Sequence, residues 1–274
     1  MWRLFEPVHA VTYYTPEARA AFEAAGLRGF WRGYFAGRAA PLGEVGAATV
    51  IALFSSFSPQ MVHRAIPDVW SRATPGATLD ARVAGAAAGL RTLAGSDRDH
   101  DVAEAADLAE RAAGLAHTSG RALAAANAAL PTPADPWGRL WQATTTLREH
   151  RGDGHVAALV AAGLGGRRAL VLKAALEGYP AINGPARGWS DEEWADTVET
   201  LTGDGYLAAD GTPTDAGQAA YQSIEDTTDR LGDEVWRALG AAETRRLADL
   251  LRPLARASGA LMPYPNPIGL PPPD

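Results

Sequence analysis

The sequence predicts an all-α protein, with a body of many helices followed by a smaller helical region that carries one short β-wing. Over most of the 274 residues, apolar side chains recur at intervals of three and four, which is the period of one helix face. Proline follows a capping residue at Thr15-Pro16 and Ser58-Pro59, as is typical of a first helical turn. Only the segment around Tyr206 combines strand-forming residues with a nearby tight turn.

The composition removes several function classes. The chain has no cysteine, which excludes disulfides, thiolate metal sites and a cysteine nucleophile. A formal net charge of -7 argues against non-specific nucleic-acid binding as the main activity. The N-terminus lacks the basic and apolar parts of a secretory signal, and no window approaches the roughly 18 apolar residues of a membrane span. We therefore expect a cytoplasmic protein that does not bind membranes.

Two regions are predicted. Residues 1–180 should form a helical body with a ligand pocket, and residues 181–274 should form a winged-helix region and a C-terminal helix. The division follows a change in pattern, because the aromatic and Ala-rich helices of the first part give way to short elements joined by tight turns.

Aromatic residues with polar neighbours dominate the start of the body. His9 and Tyr13 lie four apart, and the segment 28–38 places Tyr34 and Arg38 on one helix face. The glycines between these aromatic residues would let helices pack closely. Alternatively, the rings and the polar groups of His9, Tyr34 and Arg38 form the wall of a pocket for an organic ligand with an acidic group.

Residues 137–163 are predicted to form one helix whose apolar face is interrupted by charged groups. Arg148, Arg151 and His155 occupy positions that helical spacing assigns to the interior, and Glu149 flanks them. Buried charges need partners, so this face requires either internal carboxylates or a polar ligand. A ligand site and a structural ion-pair network both remain open. The face consists of Trp137, Trp141, Thr144, Arg148, Arg151, His155, Leu159 and Ala162.

Two glycines, Gly152 and Gly154, lie inside this predicted helix. Each disfavours a helix by roughly 1 kcal/mol relative to alanine. Their presence indicates that a ligand or a second backbone comes close, or that the helix kinks there.

The second region has the element order of a winged helix-turn-helix. Ser190 with Glu193 three residues later is a capping box that opens a helix. Residues 204–207 are predicted to form a short strand, residues 210–211 a tight turn, and a long helix follows. A last helix over about residues 241–258 precedes a proline-rich tail that cannot be helical.

Three segments of the second region resemble the recognition helix, wing and dimer-side helix of MarR-type regulators, namely residues 201–207, 214–217 and 224–229. The whole chain is similar to an actinobacterial family described as helix-turn-helix proteins, with residues 33–38, 148–155 and 188–190 among the matching segments. The resemblance implies a winged helix and a homodimer formed partly by the helices after residue 213. It implies no particular reaction.

The predicted recognition helix is acidic. Between Ser190 and Asp204 it contains six carboxylates and no basic residue, whereas helices that bind DNA present basic and amide side chains. We therefore expect the winged helix to serve as a structural or dimerisation unit, and we expect no tight binding of duplex DNA. Basic residues near the C-terminus, Arg245, Arg246, Arg252 and Arg256, could form a patch or a solvated face.

The favoured function is binding of an anionic or aromatic, including polyketide-like, small molecule where the helix of Arg148 meets the aromatic N-terminal helices. Arginines would pair with the acidic group, aromatic rings would cover the apolar part, and a histidine or glutamate could move a proton. The sequence leaves open whether the protein only binds or also catalyses, and it assigns no cofactor. The candidate catalytic residues are His155, Glu149 and His9, and the candidate ligand-binding residues are Arg148, Arg151, Tyr34, Arg38, Tyr13 and Trp141.

Two alternatives remain. One is a ligand-responsive, MarR-like transcriptional regulator. The other is a metal or haem site, for which His9, Glu149, His150, Asp153 and His155 are suitable ligand types. The two histidines of the long helix are five residues apart, whereas a two-histidine helical site requires four, so no residue is assigned to a metal. Serine-hydrolase and nucleotide-binding motifs are missing from the sequence.

Overall fold

The computed structural model describes residues 1–266 and 268–272, while Pro267, Pro273 and Asp274 lie outside the described residues. The described residues form fourteen α-helices and three short 3-10 turns, with no β-strand, which confirms the all-α prediction. None of these helices is both long and apolar enough to cross a membrane. The helices are α1 (Trp2–Tyr14), α2 (Pro16–Ala24), α3 (Phe30–Ala39), α4 (Ala47–Leu53), α5 (Pro59–His63), α6 (Pro75–Ala94), α7 (Asp99–Gly114), α8 (Ala122–Ala128), α9 (Pro136–Ala161), α10 (Arg167–Glu177), α11 (Pro180–Ala186), α12 (Asp191–Gly203), α13 (Asp215–Leu239) and α14 (Ala241–Gly259).

Helix starts follow the capping signals in the sequence. Thr15 and Ser58 each accept a hydrogen bond from the backbone N–H three residues later, and a proline occupies the next position. Ser190 and Glu193 form the predicted capping box at the start of α12. The same cap forms at α6, α9 and α13, with Thr74, Asp135 and Thr214. These local hydrogen bonds fix where the helices begin.

Helix α9 is the central element of the largest core. It packs against α1, α6, α7, α8 and α13, so that side chains around most of its circumference are buried. The inward face predicted for this helix is therefore too narrow, because Gln142 and Thr146 are also buried although they lie outside that face. Trp137 and Trp141 are almost fully buried in this core. Both polar side chains have internal partners, because Gln142 accepts from Arg82 Nη2 at 3.1 Å and Thr146 donates to the Gln142 carbonyl at 3.1 Å.

The C-terminal helices belong to the same core. Val235 and Leu239 of α13, and Leu247 and Leu251 of α14, pack with residues of α1, α7 and α9. The resemblance assigned the helices after residue 213 in part to a homodimer, which is not supported. The apolar faces of α13 and α14 named above are covered within one chain.

Residues 167–239, which we call the helix-turn-helix region after the predicted element order, have their own smaller core. Helices α10, α12 and α13 bury Leu172, Leu201 and Ile224 together, and the end of α9 joins them through Leu159. The helix-turn-helix region is thus attached directly to the last turns of the helix that carries Arg148.

The predicted β-wing is wrong in its detail. Instead of paired strands, the described residues between α12 and α13 make one isolated antiparallel bridge, Leu207 with Pro213. Ala208 donates to the Thr212 carbonyl at 2.8 Å. Thr214 donates to the Tyr206 carbonyl at 3.1 Å on the other side of the bridge, and because Thr214 also caps α13, the pairing ends there.

Candidate ligand site

A cavity of about 410 Å³ lies between the helical body and the helix-turn-helix region. Helices α1, α3 and α9 contribute one side, and helices α10 and α13 contribute the other. The segment after α4 and the residues Ile268 and Gly269 of the C-terminal tail complete the lining. Its charged lining residues are Glu6, Arg38, Arg148, Glu149, Arg151, Asp153, His155, Lys173, Glu177, Arg187 and Glu225.

Two buried carboxylates and two partly buried arginines line this cavity side by side. Arg38 donates to Glu149 through Nε at 3.0 Å and Nη2 at 2.9 Å, as a two-pronged pair. Arg148 donates through Nη1 to the same carboxylate at 2.8 Å and through Nε to Glu6 at 3.3 Å. Burial alone would raise the pKa of Glu149, but Arg148 and Arg38 outweigh it and lower that pKa to about 2. Glu149 is therefore a fixed anion that joins two guanidinium groups.

Tyr34 lies beside this cluster in a positive field. Its hydroxyl accepts a hydrogen bond from Arg38 Nη1 at 3.1 Å. Burial alone would raise the pKa of Tyr34, yet Arg38, Arg187 and Arg148 together hold the pKa below its ordinary value. These three arginines thus stabilise the deprotonated form of the Tyr34 hydroxyl.

The glycines near Tyr34 have a packing role. A Cβ on Gly33 or Gly37 would lie 3.1 or 2.9 Å from the Phe22 ring, so both glycines allow α2 and α3 to pack closely. Tyr34 and Arg38 face the cavity from the same helix. The packing interpretation of the glycines is thus observed on one face of α3, whereas a ligand site on the face of Tyr34 and Arg38 stays a prediction.

Arg151 and His155 form the outer part of the α9 wall. Arg151 Nη2 lies 3.0 Å from Asp229 and 3.6 Å from Glu225, and its guanidinium stacks over the Trp2 ring. His155 Nδ1 lies 2.9 Å from the Thr228 hydroxyl oxygen. Burial, with help from nearby cations, lowers the pKa of His155 to about 4, so the ring is neutral at neutral pH.

The two α9 glycines have different surroundings. A Cβ on Gly154 would lie 3.0 Å from Arg121 Nη1 and 3.5 Å from Leu231 Cβ, so α13 passes close to this position. Gly152 lines the cavity, and its nearest neighbour would be Glu149 Oε2 at 3.7 Å. Gly154 therefore allows packing, while Gly152 leaves space beside the charged cluster.

Sequence reasoning missed Lys173, which faces Arg148 and His155 from the helix-turn-helix side. Its Nζ donates to the Ile268 carbonyl at 3.0 Å and lies 3.7 Å from Glu177. Burial lowers the pKa of Lys173. The only available signal was that Lys173 is the one lysine of the sequence. Glu6, Glu225 and Arg187 were also missed, because no spacing within one helix connects them to the site.

Six of the nine candidate site residues line the cavity: Tyr34, Arg38, Arg148, Glu149, Arg151 and His155. The other three lie behind this wall. His9 contacts Thr145 through Nδ1 at 2.9 Å and Tyr13 through Nε2 at 3.1 Å, and Trp141 Nε1 donates to the His9 carbonyl at 3.0 Å. Burial holds the pKa of His9 well below its ordinary value. Both ring nitrogens of His9 are therefore occupied inside the core.

The candidate metal ligands do not converge. Glu149 is paired with two arginines, Asp153 accepts from the Ala124 N–H at 2.9 Å, and His155 contacts Thr228. Across residues 1–266 and 268–272, no group of three or more histidine, aspartate or glutamate side chains is arranged to hold a metal ion. The metal and haem alternative has no geometric support in this part of the chain.

The exposed face of α12 is acidic, as predicted. Asp191, Glu192, Asp196 and Glu199 are exposed. Two nearby arginines of α10 are also paired with carboxylates: Arg167 lies 3.7 Å from Glu193, and Arg168 contacts Asp204.

Residues 1–263 match a family described as a helix-turn-helix family. No curated protein and no solved structure matches the chain. The family description does not name MarR-type regulators. The match overturns the expectation that DNA binding can be set aside, because DNA recognition is a common role of helix-turn-helix proteins. On this match, which covers nearly its whole length, the chain belongs to the helix-turn-helix family.

Proposed function

We propose that this protein is a ligand-responsive helix-turn-helix regulator, which binds a small anionic molecule in the cavity between the body and the helix-turn-helix region. The observation that carries the proposal is the position of the cations. Arg148 and Arg151 of α9 and Lys173 of α10 line one cavity from its two sides. A ligand that contacts both helices favours one arrangement of them over others.

The cavity chemistry suits a molecule with an acidic group and an apolar part. The arginines and Lys173 supply N–H donors for a carboxylate or phosphate. Phe54, Leu159 and Leu170 provide apolar surface in the same cavity. Most small-molecule sites combine a few placed polar groups with an apolar wall in this way.

The exposed arginines of α14 give the best support for a contact with DNA. Arg245, Arg252 and Arg256 are exposed and recur at intervals of seven and four, so they share one helix face. Arginines on one face suit the phosphate backbone, whereas the carboxylates of α12 would repel it. In this proposal α14 supplies phosphate contacts, and the ligand alters how the helix-turn-helix region is presented beside them.

The ligand part is tested by calorimetry with a panel of anions: naphthoate, phenylphosphate and citrate. Molecules that co-purify with the protein are identified in parallel by mass spectrometry. At least one anion should bind, and Lys173→Met should weaken its binding about tenfold or more, which corresponds to about 1.4 kcal/mol. The unfolding midpoint of Lys173→Met should hardly fall, because its partner Glu177 is 31% exposed and stays hydrated without the lysine. Arg91→Met, at an exposed pair with Asp135, serves as the matched control. If no anion binds and nothing co-purifies, the ligand part is wrong.

The DNA part is tested by selection from a randomised duplex pool, followed by affinity measurements at several salt concentrations. We expect an enriched sequence whose affinity changes at least about fivefold when the ligand is added, as coupled sites typically show. The double variant Arg245→Gln with Arg252→Gln should bind more weakly and with a smaller salt dependence. No enrichment above a pool without protein would contradict the DNA contact.

A further inference from the structure

The hydrogen bonds of Thr228 fix the protonation of His155. The Thr228 hydroxyl lies 2.8 Å from the Ile224 carbonyl, and a carbonyl can only accept, so the single hydroxyl hydrogen points there. His155 Nδ1 lies 2.9 Å from the same hydroxyl oxygen, which can therefore only accept from it. Nδ1 must carry the ring hydrogen.

It follows that Nε2 of the neutral His155 ring is a bare acceptor. Within the part of the chain that the structure describes, Nε2 has no hydrogen-bond partner. It is also not a buried atom. His155 lines the cavity, so this acceptor is accessible from it.

His9 shows the same arrangement with its acceptor filled. Thr145 donates to the Trp141 carbonyl at 2.8 Å, so its oxygen accepts from His9 Nδ1 at 2.9 Å. The bare Nε2 of His9 then accepts from the Tyr13 hydroxyl at 3.1 Å. Among residues 1–266 and 268–272 no hydroxyl occupies the equivalent position of His155, which faces the cavity instead.

The charged groups around His155 keep its ring neutral, so that Nε2 stays a hydrogen-bond acceptor. Arg151 of the same helix and Lys173 of α10 both oppose protonation of the ring. Glu225 of α13, at 3.8 Å from Nδ1, faces the nitrogen that already carries hydrogen, and it lies 3.6 Å from Arg151. A ligand group that meets Nε2 must therefore donate.

Building on the proposed function, we infer that the ligand carries a hydroxyl or other hydrogen-bond donor in addition to its acidic group, and that His155 selects for this donor through Nε2. The ligand class is a hydroxylated organic acid. Thr228 is a positioning residue, because it acts on the ligand only through His155.

The inference has a test that needs no ligand. Nitrogen NMR of the full-length protein, labelled in its histidines, distinguishes the two neutral forms of each ring. We expect His155 to carry hydrogen on Nδ1 from pH 8 to 6, and Thr228→Val to remove that preference. Hydrogen on Nε2 in the unaltered protein would overturn the inference whatever the protein binds.

The second test measures selectivity with hydroxynaphthoate isomers, their methyl ethers and unsubstituted naphthoate as probes. At least one isomer should bind about tenfold more tightly than its ether, as expected for one hydrogen bond of about 1.4 kcal/mol. His155→Leu should abolish this ratio, whereas Arg91→Met should change neither the ratio nor naphthoate binding. Thr228→Val should reduce the same ratio, which a purely structural role would not do.

Different results would overturn the role of His155 and the proposed ligand site. Equal binding of every hydroxyl compound and its ether, with naphthoate still bound, overturns the role of His155 and leaves the anion site intact. Binding of none of these probes, and of no other anion in the panel, overturns the proposed ligand site and this inference with it.

Discussion

Arg38 and Glu149, which are 111 positions apart in the chain, form a two-pronged ion pair with N–O distances of 3.0 and 2.9 Å. The side chain of Glu149 is only 2% exposed, and Arg148 contacts the same carboxylate. The pair joins α3 to α9 and lines the cavity. Because the pair is buried away from water, each charge is stabilised by the other charge instead of by hydration.

The first prediction concerns this pair. Glu149→Gln leaves two guanidinium groups without their anion, so we expect a loss of roughly 3–5 kcal/mol in the free energy of unfolding. Urea denaturation at neutral pH measures it. Glu23→Gln, at an exposed pair with Arg19, should have no measurable effect. Equal stability of the two variants would show that the buried pair contributes nothing.

The second prediction concerns acid sensitivity. His150 is buried, and its pKa is lowered from 6.5 to about 4 by burial and by Arg121. Between these values the unfolded chain binds a proton that the folded chain does not, so stability is lost as pH falls from about 6.5 to about 4. The contribution of His150 is roughly 3 kcal/mol, from 1.36 kcal/mol per pKa unit.

His150→Gln should therefore flatten the curve of unfolding free energy against pH in this range. Asp153 acts in the opposite direction, because its pKa is raised to about 6, mainly by burial, and its stabilising effect fades as pH rises from about 4 to about 6. The control is His63→Gln at an exposed position. An unchanged slope in His150→Gln would contradict the buried, neutral state of this ring.

The third prediction compares two glycines of α6. A Cβ on Gly85 would lie 2.6 Å from the Ala18 Cα, so Gly85→Ala forces α2 and α6 apart. We expect a loss of roughly 1–3 kcal/mol. At exposed Gly76, in the first turn of the same helix, the nearest atom would be 4.0 Å away, and Gly76→Ala should stabilise by about 0.4–1 kcal/mol. Thermal denaturation of both variants checks the sign of each change.

The fourth prediction concerns the attachment of the tight turn to α13. A Cβ on Gly217 would lie 2.2 Å from the Tyr206 carbonyl oxygen, so Gly217→Ala must displace the segment between α12 and α13. Hydrogen exchange should become faster in α10, α12 and the first turns of α13, while α1 and α6 remain protected. Gly203→Ala, which meets nothing within 4 Å, is the control. Uniform acceleration over the whole chain would contradict a separate helix-turn-helix core.

The sequence alone determined the helical class, most helix starts and the placement of charged groups on one long helix. The predicted helix 137–163 is observed as Pro136–Ala161, because Asp135 caps it and proline opens it. The helix-turn-helix order was also predictable from the capping box at Ser190 and the turn near residue 210. These features depend on neighbours within a few positions, so local propensity is sufficient to fix them.

The tertiary structure decided which of these groups meet. Helical spacing placed Arg148 and Glu149 near a candidate site, but only packing brought Arg38 and Lys173 to them from other helices. Packing also placed His9 in the core, where Thr145 and Tyr13 occupy both of its ring nitrogens. The physical reason is that a helical period shows which face turns inward, whereas the partner of that face depends on how the helices pack.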